Sequence, residues 1–190
     1  QYQYLHFHYT NYYSSILKDF LPDKNSQSGP RMYSESEEKK MAGLFQSIMK
    51  EKKNVFLLCS STNFDRLNTF YGAATNMKRT FICDIYQKSL FEALARQHYI
   101  YGNYRFKDTE LFSLKTMDDI INKSKNGICG VIRTNGSFDK WMDALAKRLD
   151  PEDTVMVYSQ YLGYVAKGSS AFSKSTYDFL RRHRNQWEIR

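Results

Sequence analysis

Residues 54–84 carry the pattern that most constrains the fold of this chain. The apolar run VFLLC at 55–59 is typical of a strand covered on both faces. Small polar residues interrupt it, and apolar side chains then recur at helical spacing from Phe64 to Met77. A second apolar run, TFIC at 80–83, ends at Asp84. The pattern predicts a β-α-β unit with parallel strands, joined by a helix that one of the residues 61–63 caps.

The rest of the chain repeats this alternation. Strands are predicted over 110–114, 127–133, 154–158 and from 187, and helices over 34–52, 86–98, 116–124, from 137 and through 172–180. The resulting fold class is α/β, a mostly parallel open sheet of about five strands with helices on both faces, in a Rossmann-like three-layer arrangement. Trp141 is expected to be buried between its helix and the sheet. Residues 34–190 are predicted to form this domain, and residues 1–33 an N-terminal arm or helix of uncertain role.

Polar residues follow the predicted strands at their carboxyl ends. In open α/β sheets ligands bind at that edge, where helix N-termini offer free N–H groups to anions. The residues predicted to meet there and to contact phosphate or nucleic acid are Ser60, Ser61, Thr62, Asn63, Arg133, Thr134, Asn135 and Ser159. Asn135 and Gly136 suit a tight turn with positive φ. Two alternatives stay open, an ordinary polar turn at 60–63 and an ion pair between Arg133 and Asp84.

The net positive charge of the chain favours binding to an anionic partner. The chain has 28 Lys and Arg against 20 Asp and Glu, a formal charge of +8 and a pI near 9.3. Such a balance favours association with nucleic acid, although a solvated basic surface without a partner is the alternative. The segment YIYGNYRFKD at 99–108 interleaves rings with positive charge, as single-strand binders do, and is equally consistent with a packed loop.

The positions of the cysteines and histidines and the lengths of the apolar runs bear on metal sites, disulfides and membrane spans. Cys59, Cys83 and Cys129 lie in apolar runs, which predicts buried thiols in a reduced compartment. His6 and His8 form too small a set for a metal site. No apolar run approaches the roughly 18 residues of a membrane span, and no secretory signal is visible. The expected location is cytoplasmic, with no membrane contact.

Several segments together are similar to a known family. The runs CSSTNFDRL at 59–67 and RTFICDIYQ at 79–87 follow a helix that SESE opens at 34–37, and YSQYLGY stands at 158–164. This order resembles the β-CASP domain of metallo-β-lactamase-fold nucleases of the ribonuclease J type. The resemblance implies an accessory domain that forms one wall of a cleft for RNA or another nucleic acid. The intact enzyme would hold zinc in a metallo-β-lactamase domain in cis and hydrolyse phosphodiester bonds.

The zinc motifs of that family are missing. Tyr9 and Thr10 follow His6-Phe7-His8 where an HxHxDH motif needs Asp and His, and the chain stops at Arg190, about where a later histidine motif would begin. We therefore expect an excised domain with no catalytic residue, no metal ligand and no cofactor of its own, inactive in isolation. The alternative is a free-standing α/β module that binds a nucleotide or sugar phosphate. A homodimer and either exo- or endonuclease action of the parent stay open.

Overall fold

The computed structural model describes residues 35–96, 104 and 106–190. Its six strands are β1 (Asn54–Leu58), β2 (Thr80–Cys83), β3 (Thr109–Leu111), β4 (Ile128–Ile132), β5 (Thr154–Tyr158) and β6 (Glu188–Ile189). Its helices are α1 (Glu35–Glu51), α2 (Phe64–Asn76), α3 (Ile85–Arg96), α4 (Met117–Lys123), α5 (Gly136–Ala146) and α6 (Lys174–His183), with a 3₁₀ turn at Leu162–Tyr164. The predicted arm over 1–33 lies outside the described residues.

All strand pairs are parallel, and the sheet order is β3-β2-β4-β1-β5-β6. The predicted fold class is confirmed, with β3 and β6 as short edge strands. The two strands of the 54–84 unit are not neighbours, because β4 lies between them and pairs with both.

Helices cover both faces because the strands alternate their buried side chains. In β1 the side chains of Val55 and Leu57 join a core with α1, α2 and α3. Phe56 and Leu58 point to the other face, where they join a core with α4, α5 and α6. The continuous apolar run of β1 is thus explained by burial on two sides, as its pattern predicts.

Most of the aromatic segment at 99–108 lies outside the described residues, but Phe106 is described. Its ring is buried and stacks on Phe91 with centroids 3.9 Å apart. Tyr104 is partly buried, and its hydroxyl donates to a carboxylate oxygen of Asp65. These two rings belong to the protein's own packing, which favours the packed-loop interpretation at these two positions.

Trp141 differs from its prediction. It is only partly buried, and it packs beside the second core rather than inside it. Its ring meets Phe112 edge-on at 4.7 Å and Phe138 at 4.8 Å. The buried face of α5 is instead made by Phe138, Met142 and Leu145, at i, i+4 and i+7, which places Trp141 on the flank of the helix.

Within the described ranges, no helix combines the length and apolar character that crossing a membrane requires.

Candidate nucleic-acid interface at the carboxyl rim

The carboxyl rim, as we call it, consists of residues 60–63, 84–87, 133–137 and 159–162, which follow β1, β2, β4 and β5. The central strands β1 and β4 are neighbours, yet the helices after them lie on opposite faces of the sheet. Such a reversal opens a crevice above the strand ends, which is where open α/β sheets bind ligands. The topology therefore brings together the segments that the sequence assigned to one edge.

The loop after β1 presents hydroxyl groups to solvent. Ser60 and Thr62 are exposed, and their hydroxyl oxygens lie 3.0 Å apart in a hydrogen bond. Ser61 is partly buried. Asn63 is the N-cap of α2, since its side-chain oxygen accepts from the backbone N–H of Arg66 at 3.3 Å. The capping role predicted for this turn thus belongs to Asn63, whereas its contact with phosphate stays a prediction.

Arg133 is paired with Asp84. Nη2 of Arg133 donates to Oδ2 of Asp84, which is the alternative that the sequence left open. The guanidinium also lies 4.7 Å from the ring centre of Tyr86 and 5.0 Å from that of Phe138. The Arg133 side chain is 21% exposed, and its buried Nε has no hydrogen-bond partner among the described residues. The guanidinium is thus held in place at the rim by Asp84 and two rings, with part of the side chain open to solvent.

Asn135 begins α5 rather than a left-handed turn. Its φ is −129°, and its side-chain oxygen accepts from the N–H groups of Ser137 and Phe138 at 3.1 and 3.2 Å. The prediction of positive φ at Asn135 and Gly136 is wrong. The reason is that an N-cap residue has extended backbone, so the helix starts directly at Gly136. Thr134 is partly exposed between Arg133 and this cap.

Ser159 begins the rim segment that follows β5, but its side chain is covered by the protein. It is 1% exposed, and its Oγ accepts from Nη1 of Arg66 at 2.9 Å. Its N–H donates to the carbonyl of Leu58, which continues the pairing of β5 with β1. Ser159 is therefore placed to support the strand ends from within.

Two polar residues are buried beneath the rim without any indication in the sequence pattern. Helical spacing places Arg66 off the apolar stripe of α2, but it is fully buried, and its Nη2 lies 3.1 Å from Oε1 of Glu38. Gln87 is 2% exposed, and its Nε2 donates to the carbonyl of Ser61 at 3.4 Å, joining the start of α3 to the loop after β1. Neither is visible from hydrophobic spacing, because that signal treats charged and amide side chains as solvent-facing.

The rim also carries exposed apolar side chains. Among the described residues, the large exposed hydrophobic side chains lie at or after the carboxyl ends of β2, β3 and β5. Four belong to the rim, namely Ile85, Tyr86, Tyr161 and Leu162, and Leu111 and Leu114 lie at the end of the edge strand β3. Tyr86 and Tyr161 have rings of the kind on which nucleic-acid bases stack.

Tyrosine hydroxyls near the end of β5 stay protonated at neutral pH. Burial raises the pKa of Tyr158, whose hydroxyl donates to the carbonyl of Tyr161 at 2.9 Å. Burial also raises the pKa of Tyr164. Both phenols are therefore protonated at neutral pH, and that of Tyr158 acts as a hydrogen-bond donor.

The described ranges contain no candidate zinc site. No group of three or more His, Cys, Asp or Glu side chains there is placed to hold a metal ion. His6 and His8 lie outside those ranges. The described residues therefore do not fit a zinc centre.

Comparison with protein-family models finds no matching family, and comparison with curated protein sequences finds no match either.

Proposed function

We propose that this chain is an accessory domain of the β-CASP type whose carboxyl rim forms one wall of a cleft for a nucleic-acid strand, with RNA as the expected substrate. The observation that carries the proposal is the convergence of the 60–63 loop, Arg133 and Asn135 at adjacent strand ends. Their hydroxyls, amide groups and guanidinium suit a sugar-phosphate chain, since phosphate contacts position a strand without reading its sequence.

The apolar residues of the rim support the same proposal. Tyr86 lies beside the guanidinium of Arg133, so a ring and a cation are presented together. A single strand can then stack a base on the exposed ring while its phosphate meets the cation. Because Asp84 already shares that cation, binding by this chain alone should be weak. It should also be indifferent to sequence, since the contacts are with phosphates.

The proposed chemistry belongs to a separate metallo-β-lactamase domain in cis, which would carry the zinc and cleave the strand. In that arrangement the rim binds and orients the substrate, and contributes no proton transfer. Sequencing the gene on both sides of this segment tests the arrangement. An HxHxDH motif upstream and a histidine motif downstream are expected, and their absence in the full gene contradicts the accessory-domain assignment.

Cross-linking tests the rim itself. An oligouridine carrying 4-thiouridine is irradiated with the chain, and the adducts are mapped by mass spectrometry. Adducts are expected at Tyr86, Tyr161 and the 60–63 loop. A map without any rim adduct contradicts the proposed cleft wall.

A further inference from the structure

A group of positively charged side chains lies at the opposite edge of the sheet from the carboxyl rim. We define the amino-edge patch as the cations just before three adjacent strands, β2, β4 and β1. They are Lys53, Lys78, Arg79, Lys123 and Lys125. No acidic residue occurs in the segments 52–54, 77–80 and 122–128 that carry them.

Hydrogen bonds and close packing join these segments. Nδ2 of Asn126 donates to the carbonyl of Lys78 at 3.2 Å, and the N–H of Thr80 donates to the carbonyl of Gly127 at 3.0 Å. Gly127 has φ +101°, and a Cβ there would lie 2.0 Å from the carbonyl oxygen of Lys53. Glycine is thus required for this close approach, and the three segments form one continuous surface.

The lysines of the patch are available to a ligand. Lys53, Lys78, Lys123 and Lys125 are all exposed, and none forms an ion pair with another described residue. Arg79 is different, because its guanidinium donates to the carbonyl of Met49 and supports the backbone. Adjacent strands lie about 4.8 Å apart, so the strand starts span about 10 Å, within one Debye length at 0.1 M salt. The cations therefore act on a ligand together.

Helix dipoles explain only part of this charge. The carboxyl ends of α1, α2 and α4 meet the patch, and each carries roughly −0.5 of an elementary charge, against five cations. A net positive charge therefore remains over the starts of β2 and β4. Beyond β1 the patch borders Asp150, Glu152 and Asp153, which precede β5 at the same edge. By contrast, Arg133 at the rim is paired with Asp84, and the buried Arg66 is paired with Glu38.

We propose that the amino-edge patch binds the phosphate backbone of single-stranded RNA as a second surface, separate from the carboxyl rim. Repeated lysines on a flat edge fit repeated phosphates. A membrane or a protein partner fits less well, since the large exposed apolar side chains of the described residues lie at the other edge. The inference does not require the rim to be a cleft wall.

The test is binding of a fluorescein-labelled 20-nucleotide oligouridine, measured by anisotropy across a salt series. The patch variant K53Q/K78Q/K123Q/K125Q is compared with a control variant, K40Q/K107Q/K115Q/K140Q, which removes the same charge from exposed lysines outside the patch. The patch variant should weaken binding at least tenfold relative to the control. The magnitude of its log–log salt slope should fall by up to about 2.8, because each phosphate that is no longer neutralised reduces the slope by about 0.7.

Circular dichroism melting checks that each variant is folded, and the pairs K53Q/K78Q and K123Q/K125Q replace the patch variant if it is not. Equal affinities of patch and control variants overturn the inference. Preference for vesicles of phosphatidylserine and phosphatidylcholine over the RNA overturns it as well. Loss of binding in Arg133→Ala with the patch variant unaffected also overturns it, but leaves the proposed function standing.

Discussion

Arg66 and Ser159 are 93 positions apart in the chain, and Nη1 of the arginine donates to Oγ of the serine at 2.9 Å in the interior. The same guanidinium is paired with Glu38, which also accepts from the hydroxyl of Thr69 at 2.7 Å. One buried cation thus ties the start of α1 and the first turn of α2 to the end of β5. This buried network lies directly beneath the carboxyl rim.

Removing the carboxylate partner of Arg66 should strongly destabilise the fold. Glu38→Ala removes a carboxylate that pairs with the fully buried guanidinium, and removing one partner of a buried ion pair typically costs about 3–5 kcal/mol. Urea denaturation followed by circular dichroism measures the loss. The control is Glu92→Ala on the exposed side of α3, which should change the free energy of unfolding by less than about 0.5 kcal/mol. Equal effects of the two substitutions contradict the role given to Glu38.

The strands and the two-sided core could be predicted from sequence because burial on both faces leaves an uninterrupted apolar run. Arg66 could not, since its pairing with Glu38 depends on how α1 packs beside α2, and hydrophobic spacing does not report that packing. The position of β4 between β2 and β1 is likewise set by long-range pairing. At the rim, the sequence located the polar segments correctly at strand ends. It could not show that Asn135 caps α5 or that Ser159 is covered.

Trp141 should contribute less to stability than Phe112, which is 1% exposed and packs against it. Phe112→Ala removes a fully buried ring and should cost about 3–5 kcal/mol, whereas Trp141→Ala should cost about half of that because its ring is partly in solvent. The midpoints of urea unfolding of the two variants show which substitution causes the larger loss of stability. A larger loss for Trp141→Ala contradicts the observed placement of the α5 face.

The three cysteines should be unreactive in the folded protein. Burial raises the pKa of the Cys59 and Cys129 thiols to about 12 and that of Cys83 to about 11, so almost no thiolate exists at pH 8. Ellman's reagent should label none of them in native buffer and all three in 6 M urea. Fast labelling of any thiol in native buffer contradicts this burial.

The same thiols predict a loss of stability at high pH. Their unfolded pKa is near 9.0, below the folded value, so folding favours the protonated form. This contribution is fully present below pH 9 and is lost as the pH rises towards the folded values. Urea denaturation at pH 8 and pH 10 measures it, and Cys59→Ala should reduce the difference. An unchanged pH dependence in that variant contradicts the assignment to Cys59.

The chain alone should bind no zinc tightly. The prediction comes from the scattered histidines His6, His8, His98 and His183 and from cysteines placed in apolar strands. After dialysis against EDTA and re-addition of zinc, metal analysis should find well below one ion per chain. One tightly held zinc per chain contradicts the accessory-domain assignment.

The central claim, that Arg133 at the carboxyl rim contacts the backbone of a bound strand, is tested by comparing variants of its ion pair. Arg133→Ala should weaken binding of labelled oligouridine by about 1.5–3 kcal/mol, the worth of a charge-assisted hydrogen bond. Asp84→Asn keeps the oxygen that caps α3, at 2.9 Å from the N–H of Gln87, but removes the competing charge, so it should tighten binding. Ser61→Ala and Thr62→Ala should each weaken oligouridine binding less than Arg133→Ala does.

The most direct measurement is therefore a double-mutant cycle on Asp84 and Arg133, with Arg181→Ala at the far end of α6 as the control for lost charge. The account predicts tighter binding for Asp84→Asn, weaker binding for Arg133→Ala, and a double variant that binds as Arg133→Ala does. It also predicts only a change in salt slope for Arg181→Ala. If both Asp84→Asn and Arg133→Ala bind like the wild type while Arg181→Ala loses affinity, the strand runs elsewhere and the account of the rim is wrong.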